Sequence, residues 1–168
     1  MKEAFTRKSL LILGRGIGQV MFQNNALSGL LMLIGIFLNS WQMGLLAVSG
    51  NIISTSTGRI SGYDRDDIKN GLYGFNGTLV GIAVGVFMHL TVNSLILMAI
   101  ASCASTYIAR FFNMQRMLPG FTTLFILSVW MLLGLCSWLM PDMLLVSDTE
   151  TPASSSINYL QCFSMGIG

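Results

Sequence analysis

Apolar segments alternate with short polar connections along most of this chain. Five such segments can be distinguished, and their apolar runs favour helices. They lie at Ala26–Leu38, Trp41–Thr57, Leu72–Leu90, Thr91–Ala109 and Pro119–Met140. Because a helix needs roughly 20 residues to cross the hydrocarbon core, several of them must extend into their flanks. The pattern predicts an all-α, polytopic membrane protein with about five transmembrane helices.

Polar residues gather just before the first segment. If the first span begins as early as Ile17, four amide side chains are drawn toward the membrane, namely Gln19, Gln23, Asn24 and Asn25. An amide in hydrocarbon is costly without a hydrogen-bond partner, and polar breaks at membrane depth are buried in protein or line a cavity. Gln19 and Gln23 are therefore candidate hydrogen-bonding groups beside a solute path. Helix capping or contacts between helices would explain them equally well.

Composition agrees with a membrane location and argues against other classes. Charged residues make up 10% of the chain, against roughly 25% in soluble domains. Apolar residues reach 53%, and the mean hydropathy is +0.68. The formal net charge of +2 is too small and too scattered for a nucleic-acid surface. Cys103, Cys136 and Cys162 are far apart and show neither a disulfide framework nor a metal-binding spacing.

The positions of the nine Lys and Arg residues predict the orientation in the membrane. Positively charged connections stay on the cytoplasmic side, and here they occupy only alternate connections between the predicted spans. In chain order the three groups are Lys2, Arg7, Lys8 and Arg15; Arg59, Arg65 and Lys69; and Arg110 and Arg116. We therefore expect a retained, cytoplasmic N-terminus and an extracytoplasmic loop over Pro141–Asn158.

The third apolar segment carries a regular series of glycines. In a helix, Gly77, Gly81 and Gly85 recur every four residues and form a smooth face for close helix packing. Phe75 and Leu79 lie about 200° around the helix from Gly77 and Gly81, so they project from the other side. That side could line a passage. A packing helix with lipid-facing Phe and Leu side chains is an open alternative.

The predicted spans contain few charged residues, which bears on the kind of solute that could pass. Between Asn70 and Pro141 the charged residues are Arg110 and Arg116, both in a predicted cytoplasmic connection. Transporters that couple to ions usually need an intramembrane carboxylate, so this pattern favours passive passage of a neutral solute. His89 lies at the end of a predicted span without a partner pattern. No nucleophile–base arrangement, phosphate loop or metal cluster suggests an enzyme or a cofactor.

A short internal match suggests a repeat. After the fifth segment the chain becomes polar, and apolar residues resume at Ile157. The Gly-Ile-Gly of Gly16–Gly18 then recurs at Gly166–Gly168. An odd number of spans would place a second copy upside down, which is the inverted-repeat plan of many transporters. We expect residues 1–156 to form the first repeat with its extracytoplasmic loop, and residues 157–168 to begin a second, truncated repeat.

Three segments of the chain carry motifs of one known family. Gly71–Ala83 reads Gly-Leu-Tyr-Gly-Phe-Asn-Gly-Thr-Leu-Val-Gly-Ile-Ala, and it resembles the signature of the urea transporter family. Arg15–Asn25 resembles its early Arg-Gly-Ile-Gly-Gln-Val motif. Leu118–Phe125 resembles a Leu-Pro-x-x-Thr-x-Pro-Phe segment, except that Leu124 stands where the family has its second proline. The resemblance extends along nearly the whole chain.

The resemblance implies a passive urea channel in the cell membrane, expected to be a bacterial inner membrane. Urea and the lipid bilayer are the implied partners, and no cofactor is implied. Family members have two inverted repeats, each with five spans and a re-entrant half-helix, one pore per subunit, and three subunits in a homotrimer. Ser9–Gln23 is one candidate for the re-entrant helix. The implied pore residues are Gln19, Val20, Phe22, Phe75 and Leu79 at an outer urea site, and Thr122 near the middle.

The chain is short for such a channel. A pore between two repeats needs a facing wall, so we expect these residues to be an incomplete N-terminal half. Two alternatives remain open. One is a pore-less membrane assembly subunit, in which the glycines and amides only hold helices together. The other is a channel for another small neutral solute, such as ammonia, water or a short amide.

Overall fold

The computed structural model describes the backbone of residues 2–115 and 123–145, and the side chains of residues 7–112, 126–140 and 142–145. Seven α-helices account for most of this part of the chain. They are α1 (Lys2–Gly18), α2 (Ala26–Asn39), α3 (Trp41–Ile60), α4 (Arg65–Lys69), α5 (Gly74–Phe87), α6 (Val92–Gln115) and α7 (Thr123–Leu139). Short 3₁₀ turns follow α1 and α7, at Gln19–Met21 and Pro141–Met143. The described ranges contain no β-strand, only an isolated bridge between Met88 and Leu144, so the all-α class is confirmed.

Helix starts follow from polar caps at the predicted connections. The Asn25 side chain accepts a hydrogen bond from the Leu27 N–H at 2.9 Å and begins α2. Ser40 similarly begins α3, and Asp64 begins α4 by accepting from the Asp66 N–H at 2.7 Å. Side chains of this kind satisfy the free N–H groups of a first helical turn. One of the amides before the first apolar segment is thus a helix cap.

The five long apolar segments coincide with α2, α3, α5, α6 and α7, but the number of membrane crossings is not settled by helix length. Among the described residues, one uninterrupted helix, Val92–Phe112, is both long and apolar enough to cross a membrane. Arg7–Met21 and Ala26–Asn39 pass the same test as a pair, with a bend of 74° at the break. Such a bend is found in broken spans and re-entrant loops. The five-span topology stays a prediction.

Helix α5 lies at the centre of the fold. It packs most extensively against α3 and also contacts α1, α6 and α7. Val80 and Val84 of α5 form a buried apolar cluster with Leu46 of α3, Met98 of α6 and Leu132 of α7. The glycine-rich motif is therefore surrounded by helices from both ends of the described chain.

Large apolar side chains remain exposed on the outer faces of the helices. Leu38 is 84% exposed, Ile60 88% and Trp138 81%. Exposed apolar surfaces of this kind mark contacts with a membrane or with other protein surfaces. The buried interior, by contrast, contains many small polar residues, and these lead to the candidate site.

Candidate functional site

The two sequence motifs meet through their glycine backbones. Gly71 has a φ of 77°, in the left-handed region that glycine adopts without strain. A Cβ at Gly71 would overlap the backbone N of Gly16 and lie 2.7 Å from its Cα. A Cβ on Gly16 would in turn lie 3.3 Å from the Cα of Gly74. The end of α1 therefore rests directly on the connection that leads into α5, at a distance only glycines permit.

Asn51 of α3 completes this junction from a fully buried position. Its Nδ2 donates to the Leu13 carbonyl at 3.1 Å and to Thr78 Oγ1 at 3.0 Å. Its Oδ1 accepts from Thr55 Oγ1 at 3.2 Å. Thr78 Oγ1 donates onward to the Gly74 carbonyl at 3.0 Å. One amide side chain thus links α1, α3 and α5.

The 3₁₀ turn after α1 is attached to the connection before α5. Gln19 Nε2 donates to the Asn70 carbonyl at 3.1 Å, and Asn24 Nδ2 donates to Asn70 Oδ1 at 3.0 Å. Gln19 and Val20 are half-buried, whereas Gln23 is exposed. Gln19, for which the sequence left several roles open, has a defined hydrogen-bond partner here.

Phe22 ends the 3₁₀ turn in a left-handed backbone conformation, with φ 56° and ψ 24°. Within the described chain it is the one non-glycine residue with positive φ. Its N–H donates to the Gln19 carbonyl at 2.8 Å, and its side chain is 66% exposed. Non-glycine residues held in this region cost roughly 1 kcal/mol or more and are concentrated at functional sites.

Phe75 and Leu79 lie in different surroundings in the structure. Phe75 is buried at 6% exposure, whereas Leu79 is half-buried and opens onto an apolar groove of about 420 Å³ between α5 and α7. Phe75 does not line this groove. The lining residues are Leu79, Ile82, Ala83, Val86, Phe87, Ile126, Val129, Trp130 and Leu133. Thr122, expected near the middle of the pore, lies outside the described residues.

The glycines of α5 face α3. A Cβ at Gly77 would overlap the Gly50 carbonyl oxygen, and one at Gly81 would overlap the Leu46 carbonyl oxygen. A Cβ at Gly85 would meet Leu46 Cδ1 at 3.2 Å. The backbones of α3 and α5 are therefore in direct contact at two glycines, with more room at the third.

Several buried polar residues have roles that the sequence did not assign. Ser54 Oγ donates to the Ser102 carbonyl at 2.8 Å, and Thr106 Oγ1 donates to Ser54 Oγ at 3.1 Å, which ties α3 to α6. Asn76 is fully buried, and among the described residues its amide has no hydrogen-bond partner. The sequence does contain a signal for such buried contacts. Polar residues four positions apart inside an apolar segment, such as Asn51 and Thr55, lie on one face of a helix.

The described interior offers hydrogen-bonding groups without charge. Its buried polar side chains are Asn, Ser and Thr, together with the hydroxyl of Tyr73. In the same part of the chain, no three His, Cys, Asp or Glu residues come close enough together to hold a metal ion. This arrangement can position neutral donors and acceptors beside apolar walls.

Comparison with known proteins identifies the family. Residues 10–163 match the family model described as urea transporter. The chain belongs to the urea transporter family. It is similar to urea transporter 1 of Mus musculus, with 41% identity over 75 residues that cover 45% of this chain and 20% of the mouse protein. The Rattus norvegicus protein of that name is 42% identical over 73 residues, which cover 44% of this chain and 19% of its own length.

The Ovis aries urea transporter 1 gives a similar match, with 40% identity over 73 residues, 44% of this chain and 19% of the sheep protein. The matched stretches thus span about a fifth of these relatives' length. The match to the family model, by contrast, covers both glycine motifs of the chain and the junction that they form.

Proposed function

We propose that this chain forms one wall of a passage that conducts urea passively across a membrane. The observation that carries the proposal is the junction of the two motifs at Gly16 and Gly71. Through it, the turn that bears Gln19, Val20 and Phe22 is attached to the connection before α5, the helix of Phe75 and Leu79. Residues far apart in the sequence are thereby assembled in a member of the urea transporter family.

The chemistry of these side chains suits urea. Urea is flat and neutral, so apolar side chains such as Phe22 and Leu79 can lie against its faces. Its N–H groups can exchange water for amide, hydroxyl and carbonyl oxygens along one edge of the molecule. We propose that the amide oxygen of Gln19 and the hydroxyl of Thr122 are two of these acceptors. A charged solute would lose hydration at a cost of several kcal/mol, so an uncharged path excludes it.

The proposal includes a membrane arrangement. Five spans with a cytoplasmic N-terminus would follow from the Lys and Arg distribution, and the bend after α1 supports a re-entrant element over Ser9–Gln23. A second, inverted repeat would supply the opposite wall, and three subunits would assemble in the cell membrane, each with its own pore. The glycine face of Gly77, Gly81 and Gly85 would serve helix packing within each subunit.

The decisive experiment compares urea flux through two purified proteins in proteoliposomes. One is the 168-residue chain, and the other is the same chain joined to a complementary second repeat. Stopped-flow light scattering in a urea gradient should show rapid, selective flux for the joined protein and none above the lipid background for the chain alone. If the joined protein is folded and trimeric but passes no urea, urea passage is wrong. If the short chain conducts by itself, the need for a second wall is wrong.

The same vesicles separate the alternatives. Gradients of ammonia, methylurea and water report whether another small neutral solute passes faster than urea. A folded assembly that passes none of these solutes would favour the pore-less assembly subunit.

A further inference from the structure

A second concave surface lies on the side of the fold that carries the positive residues. It is an open cleft of about 730 Å³ between α1, α4 and the end of α3. We call it the basic cleft, because five cationic residues line it and no acidic residue does. Those five are Lys8 and Arg15 of α1, Arg59 of α3, and Arg65 and Lys69 of α4. None of the proposed pore residues lines it.

Nearby carboxylates do not neutralise the basic cleft fully. Asp66 pairs with Lys69 at 2.8 Å. The Asp64 side chain accepts hydrogen bonds from the Asp67 and Asp66 N–H groups, and these bonds lower the pKa of its carboxyl. Among the described residues, no hydrogen bond or ion pair engages the charged ends of Lys8, Arg59 or Arg65. Lys8, Arg59 and Arg65 thus line the cleft with no ion-pair partner among the described residues.

The remaining lining of the basic cleft is largely apolar. Leu11, Ile12 and Ile68 contribute to it, and Ile12 and Ile68 are buried beneath the charges. A soluble anion would use only the cations. A phospholipid carries both a phosphate and apolar chains, so it matches both parts of the surface.

We propose that the basic cleft binds the phosphate headgroup of an anionic phospholipid. The positive-residue distribution predicts that this side faces the cytoplasm, where anionic lipids attract basic clusters beside membrane helices. One headgroup there would contact residues of α1, α3 and α4 together and hold the three helices at a fixed spacing. This binding is separate from the proposed passage of urea and does not depend on it.

Thermal unfolding of the purified chain in a neutral detergent tests the proposal. Short-chain phosphatidylglycerol should raise the Tm in a saturable way, because a ligand that binds the folded state stabilises it. Phosphatidylcholine with the same chains should have little effect, and added salt should weaken the response to phosphatidylglycerol. Arg59→Gln should weaken the apparent affinity about fivefold, as expected for one lost cation near a lipid headgroup.

Arg7→Gln provides the matched control. Arg7 lies on α1 next to Lys8 but outside the lining of the basic cleft, and the variant loses the same charge. Its phosphatidylglycerol response should stay within twofold of the unmodified chain. Arg59→Lys should retain most of the binding, and Arg65→Gln repeats the test if Arg59→Gln does not fold.

Two results would overturn the proposal. Equal losses in Arg59→Gln and Arg7→Gln would mean that the lipid responds to net charge only. Equal stabilisation by inorganic phosphate at the same concentration would mean that the cleft takes a free anion. Native mass spectrometry should show one retained phosphatidylglycerol on the unmodified chain and a smaller bound fraction on Arg59→Gln.

Discussion

Asn51 shows how much a single polar residue can organise inside an apolar protein. Its amide bonds to the Leu13 carbonyl, Thr78 and Thr55, and the side chain is fully buried. Polar groups with partners on several helices hold those helices at one mutual position, because any shift leaves a buried group unpaired. The junction of the two motifs therefore depends on one fully buried side chain.

Replacement of Asn51 by Ala should lower the stability of the folded chain. Thr78 Oγ1, Thr55 Oγ1 and the Leu13 carbonyl would each lose a partner, and a buried group left unpaired costs about 1–3 kcal/mol. Unfolding in mixed detergent micelles, followed by circular dichroism, measures the loss. Asn93→Ala is the matched control, because Asn93 is exposed on α6. Equal losses in the two variants would contradict the assigned role.

Substitutions at Phe22 can distinguish the effect of its left-handed backbone on stability from the effect of its aromatic side chain on urea flux. Phe22→Gly should change the free energy of unfolding by no more than about 1 kcal/mol, since relief of the left-handed strain opposes the added freedom of the unfolded chain. Urea flux through the two-repeat protein should nevertheless fall, because the aromatic wall is lost. Phe22→Leu, which keeps the strain and part of the wall, should retain more flux. Unchanged flux in Phe22→Gly would remove Phe22 from the proposed path.

At the scale of elements, two faces of α5 serve different purposes. The glycine face lies against the α3 backbone, whereas Leu79 opens onto the groove between α5 and α7. A change on the first face should act on helix spacing, and a change on the second should act on the shape of the groove. We therefore expect substitutions on the first face to alter stability and, under the proposed function, substitutions on the second face to alter selectivity.

Gly77→Ala should destabilise the α3–α5 pair by about 1–3 kcal/mol, because the new methyl group would overlap the Gly50 carbonyl and force the backbones apart. Gly134→Ala is the control, since a Cβ there would meet nothing within 4 Å. Alanine at an exposed helical position should be neutral or stabilise by up to about 1 kcal/mol. Thermal unfolding in detergent reports the difference. A tolerated Gly77→Ala would mean that α3 and α5 are not closely packed in the membrane.

Leu79→Ala should widen the groove and raise the flux of methylurea relative to urea, with the assembly intact. Leu79 is only half-buried, so the change should cost less stability than Phe75→Ala, which would leave a cavity in the interior. Stopped-flow measurements with both solutes give the ratio. Leu95→Ala, on the exposed side of α6, should leave it unchanged. If only Leu95→Ala alters the ratio, the groove is not part of the path.

For the whole molecule, sequence patterns predict the helices better than the connections between them. The apolar segments locate α2, α3, α5, α6 and α7, because an apolar run in a membrane must satisfy its backbone hydrogen bonds within the segment, as a helix does. The Asn51 network and the basic cleft escaped prediction, since each combines residues from three helices that are distant in the sequence. The sequence predicts that Phe75 and Leu79 share one face of α5. It does not predict that Phe75 is buried whereas Leu79 lines the groove, because that difference depends on how the neighbouring helices pack.

Membrane topology is the whole-molecule prediction that remains to be measured. In a variant whose three native cysteines are replaced by alanine, Arg65→Cys should react with an impermeant maleimide only from the cytoplasmic side. Ser155→Cys, in the predicted extracytoplasmic loop, should react only from the opposite side. The expectation rests on the one-sided distribution of Lys and Arg. Labelling of both positions from one side would exclude an odd number of spans between them.

The close approach of Gly16 to Gly71 also has a consequence for biosynthesis. A ribosome releases α1 and α2 well before it releases α5, so the early motif enters the membrane without the surface on which it will rest. Until the connection before α5 arrives, Gln19 lacks the Asn70 carbonyl and Gly16 lacks the Gly71 backbone against which it packs. The first motif to be translated therefore acquires its final contacts only when the second motif follows it, and a nascent chain arrested before α5 would hold the first motif in an unfinished state.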